Sequence, residues 1–161
     1  MANGDQLALF LRVLLAAGLG AFVGLERELR GYPAGVRTMA LVALGSALFT
    51  EISQTFGSED RIAAGIVTGV GFLGAGVIFR EGYTVKGITT AATIWSAAAI
   101  GMSVGRELYL VAIPGAVLIF LLLEARPVVQ MIDVFLHKHA PRLIVHESEE
   151  RSKSKRDDDD G

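Results

Sequence analysis

There is no cysteine in this chain of 161 residues, so a disulfide framework and thiol chemistry are both excluded. Charge is also missing over long stretches. Residues 62–79 carry none across 18 positions, and residues 89–104 none across 16. Neither stretch has a polar side, so neither can lie on a water-facing surface. The start of the chain lacks the basic n-region of a signal peptide. Asp5 stands there instead and Arg12 interrupts the apolar run, so the segment is expected to be retained as a spanning helix. Catalytic pairing is absent too, because no nucleophile with an adjacent base can be named. No enzymatic activity, cofactor or nucleic-acid partner is expected.

What is present is apolar and rich in small residues. Hydrophobic residues make up 52% of the chain, and the mean hydropathy is +0.48. That composition fits one compact membrane domain. Five spanning candidates follow, at residues 7–25, 36–52, 62–79, 89–104 and 108–123. Pro114-Gly115 is expected to kink the fifth near its start.

Glycine is abundant inside these candidates. Gly65, Gly69, Gly71, Gly74 and Gly76 fall within one of them. In a soluble helix each would cost up to about 1 kcal/mol relative to alanine. In a bilayer, small residues let helix backbones approach closely. GxxxG pairs at Gly20/Gly24, Gly65/Gly69 and Gly101/Gly105 are expected to serve helix packing, within one chain or in a homo-oligomer. Gly69, Gly71 and Gly74 also spell G-x-G-x-x-G. A dinucleotide site needs a preceding strand and an acid about 20 residues on. Here the glycines sit mid-span and the next acid is Glu81, so that reading is rejected.

Basic residues concentrate in the first loop (Arg27, Arg30, Arg37), the third (Arg80, Lys86) and the C-terminal segment. The positive-inside rule then places the N-terminus outside and the C-terminus in the cytoplasm, a parity that five spans satisfy. An internal repeat supports the layout. Arg27-Glu28 followed by Gly31-Tyr32 resembles Arg80-Glu81-Gly82-Tyr83, and Gly35-Val36 resembles Gly87-Ile88. The expected fold is all-α: a polytopic membrane bundle of five transmembrane helices with two parallel repeated hairpins.

The same loops supply the candidate site. Glu26, Arg27, Glu28, Arg37 and Thr38 are expected to face Arg80, Glu81, Lys86, Thr89 and Thr90 at one mouth of the bundle. Paired charges beside helix N-termini suit an ion or anion site, or a docking surface. The plainer reading is that these charges anchor short helices and set their orientation. Glu26 and Arg37 border the apolar core, where ionisable groups are costly and usually paired, so a pair between them is expected. Arg12 either snorkels outward or needs an acidic partner such as Glu51. Thr68, Thr89, Thr90, Thr93, Ser96 and Ser103 either line a polar path or bond across helices. His137, His139 and His146 lack a defined further metal ligand.

The blocks GLERE, AGVRTMALVALGSALF, RIAAGIVTGVGFLGAGVIFREG and KGITTAATIWSAAAIG, in that order, resemble the membrane domain of the MgtC/SapB family. The resemblance runs from Gly18 to Gly105 and implies a five-helix bundle in a prokaryotic inner membrane, spanning residues 1–125. It implies a link to growth in low magnesium and to survival inside host cells. It also implies a regulator acting on other membrane proteins more than a pump, with magnesium transport as the alternative. Gly65, Thr68, Glu81 and Met39 depart from the residues usual in the family and thin the polar lining of any path. The best-known member adds an ACT-like soluble domain, which the 38 residues after Leu123 are expected not to contain. Residues 126–146 read as an interfacial helix, and residues 147–161 as a charged disordered tail.

Overall fold

The computed structural model describes residues 3–57 and 59–125. The expected interfacial helix and tail lie outside them. Five helices and one small hairpin fill the described residues: α1 (Asn3–Leu29), α2 (Val36–Phe56), α3 (Glu59–Gly76), β1 (Phe79–Glu81), β2 (Thr84–Lys86), α4 (Ile88–Gly105) and α5 (Tyr109–Glu124). The chain divides into two units, Met1–Leu123 and Glu124–Gly161, and the bundle belongs to the first.

Three helices are long and apolar enough to cross a membrane: α1, α2 and α4. Five spans were expected, and the difference has local causes. The third candidate stops at Gly76 instead of running to Phe79, and α3 opens with the charged run Glu59-Asp60-Arg61. α5 is only 16 residues long. Where a plain polar loop was expected after Phe79, the chain forms an antiparallel ribbon pairing Phe79 with Lys86, Arg80 with Val85 and Glu81 with Thr84. Its two-residue turn, Gly82-Tyr83, begins with Gly82 at φ 61, a conformation that glycine adopts without Cβ strain.

The interior is built from small side chains. Ala16, Ala43, Ala47, Ala97, Ala98, Ala112 and Ala116 are buried, while Phe10, Phe72, Leu110 and Leu122 are exposed, Phe72 at 82%. A protein with small residues inside and large apolar ones outside is adapted to hydrocarbon, where close packing replaces the hydrophobic drive. α4 packs against α1, α2 and α3. A Cβ at Gly101 would lie 2.1 Å from the Ala43 carbonyl oxygen of α2, and one at Gly20 of α1 would lie 2.4 Å from the Met39 carbonyl oxygen. α2 is therefore held between the glycine faces of α1 and α4. Gly24 meets Val36, and Gly105 meets Thr50, in the same way. Gly74 sits at ordinary contact distance from Ala91, whereas a Cβ on Gly65, Gly69, Gly71 or Gly76 would meet nothing within 4 Å. α5 is joined to α1 through Val23, Ala116 and a stacked pair of rings, Phe22 and Phe120, at 4.6 Å.

Candidate functional site

The C-terminal turn of α1 builds the site. Gly31 takes the left-handed conformation at φ 69. Its N–H donates to the Glu28 carbonyl at 3.0 Å, and the next N–H, from Tyr32, donates to the Arg27 carbonyl at 2.9 Å. This is the Schellman pattern. It folds Tyr32 back along α1, and the Arg27 guanidinium lies 4.1 Å from the centre of the Tyr32 ring. Such a cation–π contact is favourable where water is excluded.

Two charges are buried there, Glu26 at 2% exposure and Arg27 at 1%. Arg27 Nη2 donates to Thr90 Oγ1 of α4 at 2.5 Å. Arg30, one turn on, places Nε 2.9 Å from Glu26 Oε1. Glu26 Oε2 has no hydrogen-bond partner among the described residues. A buried carboxylate with one ion-pair partner is costly unless something else meets it.

Glu28 turns outward and works on the next helix. Its Oε2 accepts the Val36 N–H at 2.9 Å, which caps the first turn of α2. The anion position expected at that N-terminus is occupied by the chain's own carboxylate. A Cβ at Gly35 would lie 1.9 Å from the same oxygen, so a side chain there displaces the cap.

The expected site residues therefore separate into groups. Glu26, Arg27 and Thr90 come together with Arg30 and Tyr32. Arg37 and Thr38 are exposed on α2, and no ion pair joins Glu26 to Arg37 among the described residues. Arg80, Glu81 and Lys86 stand on the ribbon, where Lys86 pairs with Glu81 and Arg80 Nε donates to the Gly82 carbonyl at 2.9 Å. Tyr83 at its tip is 99% exposed. Thr89 is exposed, and its carbonyl accepts the Thr93 hydroxyl at 2.7 Å. Thr68 is exposed on α3, while Thr90 and Thr93 are buried on α4. No group of three acidic or histidine side chains suited to a metal occurs among the described residues.

A second charge cluster lies within the bundle. Arg12 of α1 donates to Glu51 of α2 at 2.9 Å and reaches Glu107, between α4 and α5, at 2.7 Å. Gln54 donates to the Gly105 carbonyl beside it at 2.8 Å. Glu107 was not singled out from the sequence. It holds φ 61 at the end of a second Schellman turn, formed by Glu107 N–H to Val104 and Leu108 N–H to Ser103. That position ordinarily takes glycine, and no local signal marks a glutamate for it.

The family model described as MgtC family matches residues 13–132. YhiD of Escherichia coli (strain K12), which carries the provisional name of magnesium transporter, is 44% identical over 126 residues, covering 71% of this chain and 58% of its own. An uncharacterised protein of Synechocystis sp. is 43% identical over 142 residues, covering 84% of this chain and 59% of its own. Protein MgtC of Salmonella typhimurium (strain 14028s / SGSC 2262) is 55% identical over 97 residues, covering 59% of this chain and 42% of its own. The chain thus spans about half the length of the curated relatives it matches. No solved structure matches it.

Proposed function

The chain belongs to the MgtC family, and on that premise we propose that it is a non-enzymatic regulator of other membrane proteins during adaptation to low magnesium. It sits in the inner membrane as a multi-pass protein, N-terminus outside and C-terminus in the cytoplasm. The two Arg-Glu loops belong to two parallel hairpins. Gly35 and Gly87, aligned in the sequence repeat, are both N-cap residues, which supports that reading.

The observation that carries the regulator reading is the closeness of α1, α2 and α4. With a Cβ at Gly101 lying only 2.1 Å from the Ala43 carbonyl oxygen, backbone meets backbone there, which supports a packed bundle over a hydrated path between these helices. The exposed ribbon, with Tyr83 at its tip and Arg80, Glu81 and Lys86 along it, offers the charges and the ring that a partner protein would read. One observation favours magnesium transport instead: the buried Glu26 carboxylate, whose Oε2 is unmet among the described residues. Complementation separates the two. In a magnesium-limited strain lacking its own copy, a regulator restores growth without raising accumulated magnesium, and substitution of Tyr83 weakens the rescue. A rescue that tracks accumulated magnesium and fails with Glu26→Gln would establish transport.

A further inference from the structure

A groove of about 610 Å³ runs between α2 and α3. Its floor includes Gly45, Gly65 and Gly69, and a Cβ on any of them would meet nothing within 4 Å. Gly65 and Gly69 are one turn apart and so share a face of α3. These glycines contrast with Gly20 and Gly101, whose missing side chains are filled by neighbouring backbone. Their openness leaves room for something outside the described chain.

The lining is apolar apart from the Ser46 hydroxyl and one charge, Arg61, which lies in the first turn of α3. Phe49 and Leu73 wall the rest. From Arg61 to Leu73 is 12 residues, or about 18 Å along the helix. That is close to one leaflet of a hydrocarbon core about 30 Å thick. A partner helix that crossed the membrane would need a seat about as long as the whole core. A single cation at the end of an apolar groove one leaflet long matches an amphiphile with one anionic group at its head.

We propose that this groove seats a phospholipid of the bilayer, with its phosphate on Arg61 and one acyl chain lying over Gly65 and Gly69. The inference rests on the membrane placement given above. The groove makes a fixed lipid part of the bundle's surface, covering a face of α3 that the described chain leaves open.

The test uses the full chain in vesicles of phosphatidylethanolamine and phosphatidylglycerol, doped with a phospholipid whose acyl chain carries a photoactivatable diazirine. Adducts are mapped by peptide mass spectrometry. They are expected to concentrate on the segments holding Gly45 and Gly65 to Leu73. They should fall several-fold in Gly69→Leu, which fills the groove, and in Arg61→Gln. Gly71→Leu, at another open glycine of α3 that does not line the groove, should leave them unchanged. Circular dichroism and resistance to alkaline extraction report folding and insertion for each variant. Native mass spectrometry of the wild type should show a retained phospholipid, which tests the seat without any substitution. Even labelling of all exposed apolar faces, including Phe72 and Leu110, would overturn the proposal while leaving the membrane placement intact. Acyl adducts missing from the groove, together with a dimer free of bound phospholipid in native mass spectrometry, would assign the groove to a second copy of the chain and overturn it too. A chain released by alkaline extraction would overturn both.

Discussion

Arg12 and Glu51 are 39 residues apart in the chain, and their side chains meet at 2.9 Å. The pair ties the first half of α1 to the last turns of α2, and the same guanidinium holds Glu107 beyond α4. The Arg12–Glu51 pair is partly buried, and ionisable groups at such a site are usually paired. Glu51 is 7% exposed at its side chain. Removing one partner should therefore cost more than a surface ion pair would, about 1–3 kcal/mol. Arg12→Leu and Glu51→Gln should each lower the thermal midpoint in detergent. The double variant should lose less than the sum of the two. Additive losses would show that the pair is not coupled.

Glu107 sets strain against attraction. A non-glycine residue in the left-handed region costs roughly 1–2 kcal/mol, while an ion pair with a carboxylate 55% exposed contributes about 0.2–1 kcal/mol. The strain outweighs the attraction. Glu107→Gly should be at least as stable as the wild type, and Glu107→Ala less stable than both. Thermal unfolding of the three proteins gives the order. If the alanine variant matches the glycine variant, backbone strain at this position is negligible.

Two glycines should respond with opposite signs. Gly101→Ala forces a Cβ toward the Ala43 carbonyl and should destabilise by about 1–3 kcal/mol. Gly71→Ala adds a methyl group in open space and should stabilise α3 by about 0.5–1 kcal/mol. Unfolding midpoints in one detergent check both.

The Arg27–Thr90 contact spans 63 residues and joins α1 to α4. Arg27→Lys keeps the charge but loses the planar stacking on Tyr32 and the fixed donor geometry. Its loss should exceed that of Thr90→Val, because the substituted cation remains buried beside Glu26 with fewer donors. Unfolding of both variants and of the double variant measures the coupling. Equal, additive losses would separate Thr90 from the cluster.

Much of this was legible in the chain itself. The uncharged runs mark the helices, and of the two readings open for Arg12, snorkelling outward or pairing with Glu51, the structure has the pair. The repeat predicts Arg27-Glu28 level with Arg80-Glu81, whereas Arg27 is bonded to Thr90 and Arg80 and Glu81 stand on the exposed ribbon. Other features depended on rotation about the helix axes, which spacing does not fix. Gly20/Gly24 and Gly65/Gly69 are the same motif, yet the first meets backbone and the second meets open space. The ribbon escaped because Phe79 continues an apolar run that is helical only as far as Gly76. Tyr32 could have been found from Gly31, since a glycine after Arg27-Glu28-Leu29-Arg30 signals the turn that brings the ring over Arg27.

The role proposed for the bundle is regulation without conduction. Its most direct test is magnesium flux into proteoliposomes holding the purified chain, with Glu26→Gln in parallel vesicles. The account predicts flux no greater than in empty vesicles for both proteins, each shown to be folded and inserted. Flux above that background in the wild type, lost in Glu26→Gln, would contradict it.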